Sequence, residues 1–220
     1  MIILTDLSDV LIEGLGKTAS LVSQRFGGEA GIKCWHRIQE TEEDFNNLMR
    51  GKMSEKDYYR IFFKKGDLPF TAKDISRFFS ESFRTVVPGT LQVYQRIVAY
   101  PEQFSSLAAM KKGMPDIYIV SDHIAERVEE IKGYHPGIFA VTKGQFWSFD
   151  LGRLKRDPHF FQGLLQRLNV GPNEVVFIDD NPINTEMAAR AGIANITFTS
   201  ANALEKKLRE FGFVLAPPTP

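Results

Sequence analysis

The sequence lacks several features that mark common classes of protein. It contains one cysteine, Cys34, which excludes an internal disulfide and a multi-thiolate metal site and fits a reducing compartment. Lys plus Arg and Asp plus Glu both number 27, so no excess of basic charge is available to bind nucleic acid or an anionic membrane. No apolar run approaches the roughly 18 residues of a membrane span, and the first residues lack a signal-peptide core. We therefore expect a soluble cytoplasmic protein, a monomer or homodimer, with no nucleic-acid or membrane partner.

What is present is the pattern of an α/β fold. Hydrophobic residues make up 43% of the 220 residues, enough for a sizeable core. Short apolar runs recur that are continuous rather than alternating, which is typical of strands buried on both faces of a parallel sheet. The predicted strands are residues 2–4, 117–120, 138–141, 175–178 and 196–198. Helical spacing lies between them, at 91–100, 160–168 and 183–191. The alternation predicts a doubly wound, Rossmann-like parallel-sheet core.

About a hundred residues separate the first predicted strand from the second, far more than one crossover helix requires. Residues 13–83 are rich in helix formers, and Ser54–Asp57 resembles the capping box that begins a helix. We predict a small α-helical cap over residues 13–83, inserted into an α/β core of residues 1–12 and 84–220, with residues 216–220 as a mobile tail. Five aromatic residues are predicted to form the core of the cap: Trp35, Phe45, Tyr58, Phe62 and Phe63.

Polar side chains follow three of the predicted strands. Asp6 follows the first strand, Ser121 the second, and Asp179 with Asp180 the fourth; Lys155 precedes that fourth strand. Ligands of open α/β sheets bind beyond the carboxyl ends of the strands. Carboxylates that meet there repel one another unless a divalent cation lies between them, and all-oxygen ligation suits Mg²⁺. A hydroxyl and an ammonium beside the cation suit a phosphate.

These residues carry a family resemblance. The segment Asp6-Leu7-Ser8-Asp9-Val10-Leu11, then Ser121, Lys155, and Asp179-Asp180 with Asn184, resemble the four ordered motifs of the haloacid-dehalogenase (HAD) superfamily. The insertion after the first strand resembles the helical cap of one HAD subgroup. Residues 50–54 and 148–152 are similar to sugar-phosphate phosphatases of that subgroup, which include bacterial glucose-1-phosphate phosphatase and the N-terminal phosphatase domain of soluble epoxide hydrolase.

The resemblance implies a Mg²⁺-dependent phosphatase of a small phosphorylated metabolite. It makes Asp6 the nucleophile that becomes an aspartyl-phosphate, with Ser121 binding the phosphoryl group and Lys155 neutralising charge. It implies Mg²⁺ ligation by Asp6, Asp179, Asp180 and the backbone carbonyl of Ser8. Substrate binding is assigned to Ser8, Ser121, Asp122 and Lys155.

One departure from the family concerns Ser8. Family phosphatases place an acid two residues after the nucleophile, and a hydroxyl cannot replace it near pH 7, which typically lowers rates about 10²- to 10⁴-fold. Asp9 and Lys52 are conceivable substitutes, although an exposed surface position is the stronger expectation for Lys52. Two other functions stay open: a HAD-like binding or regulatory protein without turnover, and, less favoured, a phosphonatase-like or dehalogenase-like enzyme.

Each motif also has a purely structural interpretation. Asp6, the Ser121-Asp122 pair and residues 179–182 could cap helices, and Lys155 could belong to a solvated basic cluster. His123, which follows Ser121 closely, is expected to be a surface histidine rather than a substrate contact. Gly14 and Gly16 suit a hinge for cap closure, with ordinary loop glycines as the alternative.

Overall fold

A parallel sheet forms the centre of the protein, in a computed structural model that describes residues 1–98 and 115–217. The described residues form five strands in the order β3-β2-β1-β4-β5. The strands are β1 (Ile2–Thr5), β2 (Asp116–Ser121), β3 (Gly144–Trp147), β4 (Val175–Asp179) and β5 (Ala194–Thr197). All neighbouring pairs are parallel, with Leu4 of the central strand paired to Tyr118 on one side and Phe177 on the other. The predicted doubly wound α/β core is confirmed.

One predicted strand is wrong. Residues 138–141 fall in the short helix Pro136–Ala140 and the turn after it, and the strand follows at Gly144–Trp147. Proline fixes a backbone angle suited to the first helical turn, so the apolar run after Pro136 continues as helix and buries Ile138. The real strand lies at the edge of the sheet, where a continuous apolar run is not required. The last strand, β5, is also an edge strand and begins two residues earlier than predicted.

Six helices lie between β1 and β2 in the described residues: α1 (Leu15–Phe26), α2 (Gly28–Glu40), α3 (Glu42–Met49), α4 (Glu55–Phe62), α5 (Ala72–Phe83) and α6 (Thr90–Val98). Six more follow β2: α7 (Val128–Tyr134), α8 (Pro136–Ala140), α9 (Ser148–Leu151), α10 (Phe160–Leu168), α11 (Pro182–Arg190) and α12 (Ala201–Glu210). The predicted helices are thus present, although residues 99 and 100 of the first lie outside the described residues. The limits of the cap at residues 13 and 83 remain a prediction.

Both faces of the sheet are covered by apolar side chains. Ile3 belongs to a large buried cluster that includes the helices of the insertion, whereas its neighbour Leu4 belongs to a second cluster with Phe161 and Leu164 of α10. Because successive residues of a strand point to opposite faces, a strand covered on both sides is apolar at consecutive positions rather than at alternate ones. This double coverage is the physical reason for the continuous apolar runs in the sequence.

Local signals in the sequence have mixed outcomes. Ser54 caps α4 as expected, since its hydroxyl accepts a hydrogen bond from the Asp57 N–H, and Cys34 is buried. Trp35 was expected in the cap core but is 43% exposed. The expectation of a mobile tail is wrong for Ala216, which is buried and donates its N–H to the Arg96 carbonyl at 3.0 Å. Residues 218–220 lie outside the described part of the chain.

No helix within the described ranges combines the length and apolar character needed to cross a membrane.

Candidate active site

Three carboxylates converge at the carboxyl edge of the central strands. Asp6 directly follows β1, Asp179 is the last residue of β4, and Asp180 comes next. One oxygen atom from each carboxylate lies within 4.8 Å of the others. The Asp6 N–H donates to the Ile178 carbonyl at 2.8 Å, so the sheet ladder itself fixes the start of this loop. Adjacent parallel strands therefore deliver the three side chains to one point, as their positions at strand ends predicted.

Lys155 is the cation that contacts two of these carboxylates. Its Nζ lies 2.6 Å from an oxygen of Asp6 and 2.6 Å from an oxygen of Asp179, and the residue is only 1% exposed. Burial lowers the pKa of Lys155, but the surrounding carboxylates, Asp179 first, outweigh that effect and raise it overall. The ammonium is therefore charged at neutral pH. The alternative of a solvated basic cluster is wrong for this lysine.

The two neighbouring carboxylates of β4 have different surroundings. Asp179 is fully buried and accepts hydrogen bonds from the Asn184 side chain and the Asn181 N–H, in addition to its ion pair. Asp180 is less buried and lines the cavity described below. The capping role belongs to Asn181, whose side chain accepts from the Ile183 N–H at the start of α11. Asp179 is thus held by protein groups, and Asp180 faces the space where a ligand would bind.

Burial raises the pKa of all three carboxyl groups. For Asp6 the Lys155 ammonium opposes this effect of burial. For Asp179 and Asp180 the pKa rises to about 6, again chiefly through burial. Three carboxylates and one ammonium leave excess negative charge in a buried place, which favours a bound cation. The oxygen donors present are those that Mg²⁺ prefers, so the residues fit this ion.

Ser121 and Asp122 stand beside the cluster, at the end of β2. The Ser121 hydroxyl is buried, has no hydrogen-bond partner in standard geometry among the described residues, and is close enough to the Asp6 carboxylate to lower its pKa. The Asp122 carboxylate accepts a hydrogen bond from the backbone N–H of Lys155 at 3.1 Å and lines the cavity. Burial raises the pKa of Asp122 to about 6. No helix begins directly after Asp6 or Asp122, so the helix-cap interpretation is wrong for both.

Ser8 and Asp9 line the same cavity. Asp9 has a positive φ of 58°, and its carboxylate accepts the Gly14 N–H at 2.9 Å. A Cβ at Gly14 would lie 2.5 Å from that carboxylate, so glycine allows the close approach of the two residues. The hinge predicted at Gly14 and Gly16 stays a prediction. Lys52 is exposed and is not among the residues that line the cavity, as expected for a surface lysine.

The cavity above these groups has a volume of about 240 Å³. Asp6, Asp122, Lys155 and Asp180 are among its polar lining residues. The helical insertion contributes apolar lining residues: Leu15, Phe45, Met49, Phe79 and Phe83. The arrangement suits a ligand with a charged end and a less polar remainder.

The two segments that resemble sugar-phosphate phosphatases contact each other. Arg50, at the end of α3, binds the Asp157 carboxylate through Nε at 2.9 Å and Nη2 at 2.7 Å. Gly51 has a φ of +70°, and a Cβ there would lie 2.8 Å from the Phe149 carbonyl. The Ser148 hydroxyl donates to the Met49 carbonyl at 2.6 Å. These contacts attach the insertion to the loop that carries Lys155.

His123 is the residue that the sequence interpretation missed. It was expected on the surface, but it is 3% exposed, lines the cavity and packs against the rings of Phe83 and Trp147. Its Nδ1 accepts the Ile124 N–H at 2.9 Å, and burial lowers the pKa of the imidazole to about 4. The sequence signal that could have indicated its burial is its position two residues after Ser121 and directly before the apolar Ile124.

Comparison with known proteins decides the family. A family model described as a haloacid dehalogenase-like hydrolase matches residues 1–192. The chain belongs to this hydrolase family. It is 34% identical over 79 residues to flavin mononucleotide hydrolase 1 of Arabidopsis thaliana, a match that covers 36% of this chain and 32% of the relative's length.

Solved structures of the family share the fold. A HAD family enzyme from Bacteroides thetaiotaomicron, in complex with magnesium and inorganic phosphate, is 17% identical with a TM-score of 0.58, covering 90% of this chain and 93% of that one. L-2-haloacid dehalogenase from Xanthobacter autotrophicus, with chloropropionic acid covalently bound, is 14% identical with a TM-score of 0.61, covering 97% and 85%. These similarities establish that this chain has the fold of those enzymes. The reaction that it catalyses has to be argued from the residues of its own site.

Proposed function

We propose that this hydrolase is a Mg²⁺-dependent phosphatase that acts on a small phosphorylated metabolite through an aspartyl-phosphate at Asp6. The observation that supports it best is the group of three carboxylates, two of which contact one buried ammonium. The Ser121 hydroxyl lies beside them and has no hydrogen-bond partner in standard geometry within residues 1–98 and 115–217. A phosphate dianion needs both a cation and directed donors, and this cluster offers places for each. A dehalogenase has no comparable need for three acidic groups.

In the proposed reaction, a carboxylate oxygen of Asp6 forms a bond to phosphorus while the bond from phosphorus to the leaving oxygen breaks. Asp6 suits this role because the Lys155 ammonium contacts it at 2.6 Å, which orients the carboxylate and opposes the rise in its pKa that burial causes. Ser121 would donate its hydroxyl hydrogen to a phosphoryl oxygen, and Asp122 would hold the Lys155 loop against the substrate. Water then attacks phosphorus and releases phosphate from Asp6.

The metal would be held by Asp6, Asp180 and the Ser8 carbonyl, with Asp179 beside them. When bound, Mg²⁺ would offset the repulsion between the attacking carboxylate and the phosphate dianion. The ion pair of Asp179 with Lys155 suggests that its contribution is chiefly to position the lysine.

Ser8 makes the departure of the leaving group the difficult step. Ser8 lines the cavity at the position where family phosphatases place an acid. The neighbouring Asp9 carboxylate already accepts a hydrogen bond from the Gly14 N–H. We therefore expect faster turnover of acyl and aryl phosphates, whose leaving groups need no proton, than of alkyl phosphates. Flavin mononucleotide is a candidate substrate because of the Arabidopsis relative. The cavity of about 240 Å³ lies below the range of typical ligand pockets, so it would take the phosphate end of this substrate while the ring system extends beyond it.

The test is a panel of phosphate esters assayed with and without Mg²⁺. Acetyl phosphate, phenyl phosphate, flavin mononucleotide and glucose 1-phosphate cover the acyl, aryl and alkyl classes. We expect Mg²⁺-dependent phosphate release that Asp6→Asn abolishes, and we expect Ser8→Asp to raise the rate on glucose 1-phosphate at least about tenfold. Equal, fast turnover of acetyl phosphate and glucose 1-phosphate by the unaltered protein would show that no acid is missing.

The absence of an acid also favours a second candidate, a HAD-like binding or regulatory protein that keeps the phosphate pocket without turnover. In that case Asp6 would become phosphorylated by acetyl phosphate and stay so, or would bind phosphate without reacting. Intact-protein mass spectrometry over time separates the two candidates, because a working phosphatase returns to its unmodified mass once acetyl phosphate is exhausted.

A further inference from the structure

His123 carries a donor that nothing in the described structure satisfies. Its Nδ1 accepts the Ile124 N–H at 2.9 Å, so the proton of the neutral ring lies on Nε2. Nε2 is buried and has no hydrogen-bond partner among residues 1–98 and 115–217. Buried donors without a partner are rare because the lost hydration is not replaced.

The position of this donor relates it to the leaving part of the substrate rather than to the phosphoryl group. His123 lies two residues beyond Ser121 on the loop after β2, and it lines the same cavity. Its ring packs at 5.0 Å from the Phe83 ring, part of the apolar wall that the insertion provides. A group bound here would belong to the leaving part of the substrate, between the phosphate and that wall.

The backbone that carries the ring is also fixed. The backbone N–H of His123 donates to the Ser148 hydroxyl at 3.0 Å, and that hydroxyl in turn donates to the Met49 carbonyl at 2.6 Å. The ring of Trp147 stands edge-on at 6.0 Å. Nε2 is therefore presented at a fixed place, on a residue tied to both the loop and the insertion.

We propose that His123 binds substrate, donating its Nε2–H to a hydroxyl oxygen on the leaving group, so that the site selects phosphate esters of polyols or sugars over esters of plain alkyl chains. This inference rests on the proposed phosphatase function and narrows its substrate class. A pocket built to hydrogen-bond a hydroxyl discriminates against analogues that lack it, because the donor is then left unpaired.

Glycerol 1-phosphate and propyl phosphate form a matched pair of probes, since they differ only in the hydroxyls of the chain. Two variants separate the roles of the ring. His123→Asn keeps a short acceptor for the Ile124 N–H but does not reach as far as Nε2, whereas His123→Gln places an amide donor near the Nε2 position. His36→Gln, on the exposed surface of α2, is the control.

The readouts are kcat/KM for both esters and, in the Asp6→Asn background with Mg²⁺, calorimetric dissociation constants for both esters and for inorganic phosphate. We expect the preference for glycerol 1-phosphate over propyl phosphate to fall about two- to tenfold in His123→Asn, the range of one net hydrogen bond, and to be retained in His123→Gln. Binding of inorganic phosphate, which has no leaving group, should stay unchanged in both variants.

Three results would overturn the inference: equal affinity for the two esters in the protein that retains His123, a selectivity that His123→Asn leaves intact, or parallel losses for both esters and inorganic phosphate together with a lower Tm. The binding arm keeps this test separate from the proposed function. Failure of the unaltered protein to release phosphate from acetyl phosphate with Mg²⁺ would contradict the phosphatase proposal, while the ratio of dissociation constants for the two esters would still decide the role of His123.

Discussion

Removing the buried ammonium should destabilise the protein in a way that depends on pH. In Lys155→Met the side chain keeps much of its length, but the two oxygens that Nζ contacts at 2.6 Å, on Asp6 and Asp179, lose their cation. Both carboxyl groups are almost completely buried, with side chains 8% and 0% exposed. Their mutual repulsion and their lost hydration are then no longer compensated.

The magnitude follows from the burial of the pair. Breaking a buried ion pair by removing one partner typically destabilises by about 3–5 kcal/mol. For a chain of this size each kcal/mol lowers Tm by about 2–4 °C, so we expect a fall of about 6–20 °C at pH 7.5. Exposed substitutions usually stay within about 0.5 kcal/mol, so Lys52→Met serves as the control.

The sign of the pH dependence is set by the carboxyl groups. Burial already raises the pKa of Asp179 to about 6 with the ammonium present, and loss of the ammonium raises it further. A carboxyl group with a raised folded pKa binds protons more readily in the folded state, so stability increases as the pH falls through that pKa. Each carboxyl group that becomes protonated in this range adds up to about 1.4 kcal/mol per pH unit to the free energy of unfolding. The difference in stability between the variant and the unaltered protein should therefore narrow from pH 7.5 to pH 5.5.

Urea unfolding at the two pH values measures this difference directly, because titrations common to both proteins cancel in the comparison. A loss below about 1 kcal/mol, or a loss of equal size at both pH values, would refute the reasoning that Lys155 compensates buried negative charge.

Two further predictions concern the metal and the junction with the insertion. Because burial raises the pKa of Asp180 to about 6, protons should compete with Mg²⁺ below that pH. The dissociation constant of Mg²⁺, measured by calorimetry, should therefore rise up to about tenfold per pH unit there. A constant value from pH 7.5 to 5.5 would contradict this. Gly51→Ala should destabilise by more than about 1 kcal/mol in urea unfolding, since φ is +70° and the new Cβ meets the Phe149 carbonyl. Gly28→Ala, which meets nothing within 4 Å, is the matched control and should be neutral or slightly stabilising.

The sequence predicted the interior of the sheet better than its edges. Strands β1 and β4 are covered on both faces, so burial favours apolar residues at consecutive positions and leaves a readable run that ends where the polar site residues begin. At the edge, β3 needs no such run, and its sequence Gly-Gln-Phe-Trp carries no strand signal strong enough to compete with the apolar stretch at residues 138–141. That stretch folds as a helix because Pro136 begins one.

The site was predictable as far as its residues end strands. Asp6, Ser121, Asp179 and Asp180 follow apolar runs, and topology alone brings such positions to one edge. The burial of Lys155 could not be read from a basic local sequence, because it depends on carboxylates at the ends of β1 and β4.

The environment of His123 was equally hidden. It is created by Phe83 from the insertion and Trp147 from the edge strand, which are distant from it along the chain. Contacts of this kind follow from how the insertion seats on the core, and no local pattern encodes them.

The covalent state of Asp6 during turnover tests the proposed mechanism most directly. The protein is mixed with acetyl phosphate and Mg²⁺, quenched in acid within the first turnovers, and the peptide that carries residues 1–12 is examined by mass spectrometry. The mechanism predicts a mass increase of one phosphoryl group on Asp6, absent from Asp6→Asn and absent when Mg²⁺ is chelated. Phosphate release that proceeds at full rate in Asp6→Asn, or a phosphoryl group found on a different residue, would contradict it.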